Sequence, residues 1–379
     1  MYENRKQEFL DLFYREIFPY LAQGERKRKQ YIFIIISIII LSIAGCVALL
    51  YFLIKDSQFD AELVKSILSI VIFFMFTGVI PALLLKIKFI QYIKERYMNG
   101  IVSYFNGMKW INSDAIDKDS KIQTFKQNPL LYDENITELW IDDYFTGEYN
   151  HTTYSIYEAN VRNVRGSGKG RHDMRIFKGI TLELDLKNLI SDEILIYSKD
   201  MKLNKDGEMY MPIIYLIGLI VFIFIGATHY QSLDIAGMIM FGIVITAYAF
   251  ICIYLSFRIK KFLNKNKFNK SNDLNINDRF CINTKNIQET EKLIKPDLFA
   301  VLQNISLTFK SKGIALNTYR EYGNTKAMVI IPTNLNAFEI GSLFKPLDKP
   351  QGMSKFFDQL SCIMDLIDYF ADLENKSRD

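Results

Sequence analysis

The chain has 379 residues, half of them hydrophobic, a formal net charge of +4 and a mean hydropathy of +0.06. That balance is too apolar for a soluble enzyme and too polar for a bundle made only of membrane helices, so spanning helices and a sizeable folded domain are expected together. The charge is small, but its distribution along the chain carries information, because Lys and Arg beside spanning segments set orientation.

Residues Glu8 to Leu21 place Phe9, Leu10, Leu12, Phe13, Ile17, Phe18 and Leu21 at helical spacing, which predicts an amphipathic helix leading into the membrane region, with Pro19 and Gly24 leaving its end open. The run Arg26, Lys27, Arg28, Lys29 then abuts the first spanning segment, Tyr31 to Ile54. Because mostly polar residues precede that apolar run and no small-residue cleavage site follows it, it reads as an anchor and not as a secretory signal. A second span covers Ser66 to Leu85, with a kink expected at Pro81. Beyond it, Lys86, Lys88, Lys94 and Arg96 alternate with Ile87, Phe89, Ile90, Ile93 and Tyr97, so the helix is expected to leave the membrane with one apolar face.

The pattern then changes to short alternating segments. Tyr154 to Val164, Arg175 to Leu186 and Glu193 to Tyr197 read as strands. From Tyr210 to Phe257 two further apolar runs flank the turn Gln231 to Asp234, each long enough for the ~20 residues that cross a bilayer. No ionisable residue lies inside any of the four runs, which gives a proton or ion path no foothold at bilayer depth. Gly218, Gly226, Gly237 and Gly242, with Thr246, suit close helix packing within or between chains. Arg258, Lys260, Lys261, Lys265, Lys267 and Lys270 follow. Every strongly basic flank falls on one side, which places both termini and the central region in the cytoplasm.

After the second hairpin, Arg279 to Asn283 reads as a strand and Asp297 to Phe309 as a helix opened by Pro296. Ile314 to Tyr319 and Ala327 to Ile331 form a strand pair around Tyr322, Gly323 and Asn324. Met353 to Leu373 sets Phe356, Phe357, Leu360, Ile363, Met364, Ile367 and Phe370 against Asp358, Asp365, Asp368 and Asp372, the pattern of a helix packed on a sheet. Neither half of the polar chain can bury its own elements, so one α+β domain assembled across the hairpin is the economical expectation.

Several blocks occur in an order similar to that of a bacterial membrane family, domain of unknown function 3137. They are IFPYLAQGERKRK, DDYFTGEYNHTTYSIYEANVR, RIFKGITLELDLKN, DRFCINTKNIQETEKLIKPDLFAVLQNI and VIIPTNLNAFEIGSLFKPL. The resemblance rests on Asp142, Asp143, Tyr144, Gly147, Phe177, Lys178, Gly179, Phe280 and Glu289. Thr290, Glu291 and Lys292 stand where the family has Ala-Arg-Tyr, and its usual members lack the second hairpin. The resemblance implies a bacterial inner-membrane protein with a cytoplasmic domain of unassigned activity.

No constellation rises to a catalytic motif. Arg165 to Arg171, RGSGKGR, lacks the Ser or Thr and the following helix of a phosphate loop, and reads as a solvated hairpin loop. Asp142 and Asp143 are a conceivable metal or acid-base pair. Adjacent residues on a regular strand point to opposite faces, however, so they are expected to serve a turn or strand entry and not to share one ion. Glu289 and Glu291 read as solvated positions leading into a helix. Cys46 and Cys252 lie in apolar runs, Cys281 and Cys362 lack partners at ligand spacing, and His151, His172 and His229 are scattered, so neither a disulfide framework nor a zinc site is expected. No catalytic, cofactor-binding or metal residue is assigned, and the basic residues beside the spans fit lipid better than nucleic acid.

The expected organisation is a helix and basic flank (1–30), a first transmembrane hairpin with its cytoplasmic extension (31–97), the first half of an α+β domain (98–209), an inserted second hairpin (210–257) and the second half (258–379). The fold class is thus an α+β cytoplasmic domain with four transmembrane helices in two hairpins. The functions in view are a binding, scaffolding or sensing module, a subunit of an oligomeric channel or transporter, and, last, a membrane-bound hydrolase. The partners in view are the bilayer with anionic headgroups at the basic flanks, an unidentified protein, and a second copy of the chain.

Overall fold

The structure is a computed structural model that describes residues 2–55, 67, 69–70, 73–105, 107–131, 135–166, 172–186, 193–201, 273–275, 278–321, 323–339 and 350–376. The expected second hairpin, 210–257, lies outside the described residues, as do His229 and Cys252.

The N-terminal helix does not end near Pro19 or Gly24. Helix α1 (Tyr2–Leu12) continues through a π-helical turn, Phe13–Ile17, directly into α2 (Phe18–Lys55). A second π turn, Met75–Val79, leads into α3 (Ile80–Val102). Both turns have the same cause. A helical proline has no N–H to donate and its ring presses on the carbonyl four residues back, which for Pro19 is Arg15 and for Pro81 is Thr77. Both of those residues lie in the π turns, where the widened ladder absorbs the clash. Where α2 and the second helix pass each other, small residues set the approach: Ser42 Oγ is 3.5 Å from Thr77 Oγ1, and a side chain at Gly78 would meet Ser42 Cβ at 3.0 Å.

Among the described residues two helices are long and apolar enough to cross a membrane, Gln23–Leu49 and Phe76–Val102. Their upper turns expose Phe33, Ile36, Ile40, Leu41, Val47, Phe73, Phe76 and Leu84. Their lower turns do the opposite. Phe9, Phe13, Ile17 and Leu21 pack with Phe89, Ile93, Tyr97, Met98 and Ile101 in the main core, as the apolar face of residues 87–97 leads one to expect, although Ile87 itself is exposed.

Among the described residues that core is one face of a nine-stranded antiparallel sheet of order β1-β2-β3-β4-β9-β8-β5-β7-β6. The strands are β1 (Lys109–Ile111), β2 (Glu138–Tyr149), β3 (Thr152–Arg165), β4 (His172–Leu186), β5 (Ile194–Ser198), β6 (Asp273–Asn275), β7 (Phe280–Thr284), β8 (Ala315–Glu321) and β9 (Asn324–Pro332). Alternation divides the side chains as period two requires: Ile180, Leu182, Leu184 and Leu186 face the helices, and Phe177 and Glu183 face the other side. The strands on the two sides of residues 210–257 interleave, since β9 pairs with β4, and β5 pairs with both β7 and β8.

Over the helix-side face lie α6 (Pro296–Thr308) and α7 (Pro350–Lys376), and α5 (Ile287–Leu293) precedes them. Pro296 occupies the first turn of α6 as expected, and the apolar stripe of α7 is buried as expected from Phe356 to Phe370. On the opposite face sits α4 (Lys118–Gln127), capped by Asp117, whose side chain accepts from the backbone of Asp119 and Ser120. The sequence pattern predicts none of α4, β1 and β6, and β2 only as a strand entry.

Candidate functional site

The polar centre of the molecule is built on a fault in β2. Ile141 lies opposite Ala159 and Tyr144 opposite Tyr157, so Asp142 and Asp143 together oppose the single residue Glu158. This is a β-bulge, and it undoes the strict alternation that would send adjacent side chains to opposite faces. The expectation that the two aspartates cannot share an ion therefore fails. Lys94 Nζ on α3 stands 2.8 Å from Asp142 Oδ1 and 2.9 Å from Asp143 Oδ2. Trp110 of β1 adds an indole N–H donated to the other oxygen of Asp143 at 3.2 Å.

The two aspartates are not equivalent. Asp142 is largely exposed, whereas the Asp143 side chain is 1% exposed. Burial pushes the Asp143 carboxyl up to about 6, against the pull of Lys94, with Asp142 adding to the rise. Glu158, 8% exposed on β3, goes further. Burial raises it to about 8, offset in part by a short hydrogen bond that Oε1 accepts from the backbone N–H of Ala337, while Asp143 and Asp142 reinforce the rise. Phe338, next along, holds a positive φ of 54° although fully buried, and its N–H donates to Gln359 Oε1 of α7 at 3.2 Å. One cluster thus ties helix α3, the sheet and the segment after β9.

A cavity of about 300 Å³ opens beside it, lined by Trp140, Ile141, Asp142, Glu158, Lys178 and Leu335 among others. Gly179 also lines it, and there the absence of a side chain is compulsory: a Cβ would lie 2.0 Å from the carbonyl oxygen of Ile331 on β9. Trp140 is half exposed, with the Arg162 guanidinium 4.4 Å over its ring and Arg162 in turn 2.7 Å from Asp173.

A second polar group lies on the opposite face. Lys121 of α4 reaches Glu183 at 2.5 Å, and the buried Tyr157 hydroxyl makes a short bond to the same carboxylate. It is satisfied from within, and α4 seals it from above, which is the arrangement of a structural network.

The remaining sequence candidates are dispersed. Tyr144 stacks on Tyr157 at 5.5 Å, and Gly147 lies under the Tyr154 ring. Phe280 packs on Phe299, and Thr290 is buried with its hydroxyl donated to Asn286 O. Residues 289 and 291 fall within α5 and not before a helix, with Glu291 exposed. Arg165 pairs with His172 across a hairpin, and residues 167–171 of the Gly-rich loop lie outside the described residues. Cys281 and Cys362 are buried, and burial pushes the Cys362 thiol up to about 12. Among the described residues no group of three or more His, Cys, Asp or Glu is arranged to hold a metal ion. Two participants escaped sequence reasoning. In the sequence Lys94 is one of several helix cations, and Glu158 is inconspicuous within a strand. The acidic pair followed by Tyr-Phe in an otherwise alternating stretch was the available signal for the bulge.

The family described as a protein of unknown function, DUF3137, has a model that matches residues 175–371, just over half of the chain. The chain belongs to the DUF3137 family. The DUF3137 match begins in β4 and takes in Phe177, Lys178, Gly179, Phe280 and residue 289, while Asp142, Asp143, Tyr144 and Gly147 precede it. No curated protein and no solved structure matches the chain. DUF3137 membership therefore names a family without bringing an activity with it.

Proposed function

We propose that this chain is a multi-pass protein of the bacterial inner membrane whose sheet domain lies on the cytoplasmic side with both termini, and that the domain works as a binding, scaffolding or sensing module. The observation that carries this reading is the continuity of α1 and α2. A single helix has its first turns in the domain core, through Phe9, Phe13, Ile17 and Leu21, and its later turns bare and apolar, through Phe33, Ile36, Ile40 and Leu41. Exposed apolar area on that scale is unfavourable in water by roughly 25 cal/mol per Å², and a bilayer removes the cost. A cleaved leader would carry off part of the core, so an anchor is the better account of this helix.

Continuity also supports the sensing role. The contacts supply a route for such a role: Lys94 of α3 bonds Asp143 of β2, Asp143 lies opposite Glu158, and Glu158 accepts from the Ala337 N–H. Accessibility labelling in sealed vesicles tests the arrangement. With Ser232→Cys and, separately, Ser377→Cys, an impermeant thiol reagent is expected to reach residue 232 only from the outer side and residue 377 only from the cytoplasmic side. Labelling of residue 232 from the cytoplasmic side overturns the topology.

A further inference from the structure

The cluster at the bulge holds three carboxyl groups, Asp142, Asp143 and Glu158, against the one ammonium of Lys94. Two of the three are satisfied by that lysine. Glu158 is the remainder: it is 8% exposed and lines the cavity, and among the described residues its one hydrogen-bond partner is the Ala337 N–H on Oε1. A buried carboxyl with an oxygen left over, in the field of two more carboxylates, lacks a positive donor. The groups facing Glu158 are Asp142 and Asp143 from β2, Lys94 from α3, the Ala337 N–H and, on the cavity wall from β4, Lys178. Lys178 is itself engaged in an interaction of its own.

We infer that the cavity between β2, β3, β4 and residues 333–336 is a binding site for a small organic cation, a primary alkylammonium, with its charged end at Glu158 and its apolar part against Trp140, Ile141 and Leu335. A bare metal ion fits less well. Both aspartates already hold Lys94 at hydrogen-bond distance, and a cavity of about 300 Å³ with aromatic and aliphatic walls is the size of a small organic molecule. This names a ligand class for the binding role proposed above, on which it rests.

The chain has two tryptophans, Trp110 and Trp140, and both border this cluster, so intrinsic fluorescence of the full protein in nanodiscs reads the site directly. Titration with n-butylammonium is expected to give a saturable emission change, and n-butanol and n-butyrate none. Because Glu158 with a value of about 8 must release its proton to pair with the cation, affinity is expected to rise by up to about ten-fold per pH unit from pH 6 to pH 7.5. Glu158→Gln keeps the acceptor for Ala337 and is expected to weaken binding at least about ten-fold and to remove most of the pH dependence between pH 7 and 7.5, where Asp143 is already ionised. Leu335→Trp, which fills the cavity without touching the carboxyl groups, is expected to abolish binding. No saturable response to butylammonium in the folded wild-type protein, or an equal response to butanol or butyrate, overturns the assignment. That failure is separable from failure of the topology, which vesicle labelling reports without any ligand.

Discussion

Lys94 and Asp143, 49 residues apart in the chain, meet at 2.9 Å with side chains 12% and 1% exposed. This is the contact through which the helix leaving the apolar region is bonded to the sheet. Asp142, at 2.8 Å but 56% exposed, shares the same ammonium with far more solvent screening.

Removing the ammonium leaves Asp143 buried and without its charged partner. Lys94→Met is expected to destabilise the domain by about 3 kcal/mol, the usual cost of breaking a buried pair from one side. Asp143→Asn in that background removes the orphaned charge and is expected to recover part of the loss. Thermal or denaturant unfolding of the single and double variants measures both, and a double variant less stable than Lys94→Met contradicts the account.

Asp143 and Glu158 carry raised values, about 6 and about 8 against ordinary values of 3.8 and 4.5. Between the ordinary and the raised value the native chain keeps a proton that the unfolded chain has lost. The stability linked to each group is therefore complete below its ordinary value and is lost as pH rises through the raised one. For Glu158 the loss spans roughly pH 4.5 to 8, with a slope of at most about 1.4 kcal/mol per pH unit. The melting temperature of Glu158→Gln relative to wild type is expected to climb across that window and level off above it. A difference independent of pH would show that Glu158 does not hold its proton in the fold.

Gly179 and Gly147 are both strand glycines, and the structure ranks them. A Cβ at 179 meets backbone, the Ile331 carbonyl oxygen at 2.0 Å, whereas at 147 it meets the Tyr154 hydroxyl at 2.5 Å, the far end of a side chain. Gly179→Ala is expected to cost about 3 kcal/mol or more and Gly147→Ala about 1–2 kcal/mol, because the buried Tyr154 ring can give a little whereas the Ile331 carbonyl is held in the β4–β9 ladder. Unfolding of the two variants side by side decides it.

Phe338 adopts φ 54° while fully buried against Phe145, Phe309 and Phe356. Phe338→Ala is expected to cost about 3–5 kcal/mol through the cavity it leaves. Phe338→Gly relieves the backbone but leaves the same void, and is expected to recover no more than about 1 kcal/mol of that loss. Melting of the two variants checks the order.

Much of the fold was legible in the residues. The bare apolar faces of α2, the stripe of α7, the Pro296 start of α6 and the alternation in β3, β4, β8 and β9 are local patterns with periods of about 3.6 or 2, and the elements stand where those periods put them. Local periodicity also has limits. At Pro19 it leaves the helix end open, because a proline inside a helix costs a hydrogen bond, and the remedy, a π turn over residues 13–17, leaves no mark in the pattern. At Asp142 and Asp143 it sent the two carboxylates to opposite faces, because the inference assumed an unbroken strand.

What chain order could not supply were the relations between distant segments. The insertion of β9 between β4 and β8, the bulge that sets Asp142 and Asp143 opposite Glu158, and the arrival of Lys94 at that bulge depend on register and packing across the whole sheet. Periodicity says which face of an element is buried, since that is a property of a few consecutive residues. Which charged groups then meet inside is settled when the elements assemble, and the candidate site of this protein belongs to that second kind of information.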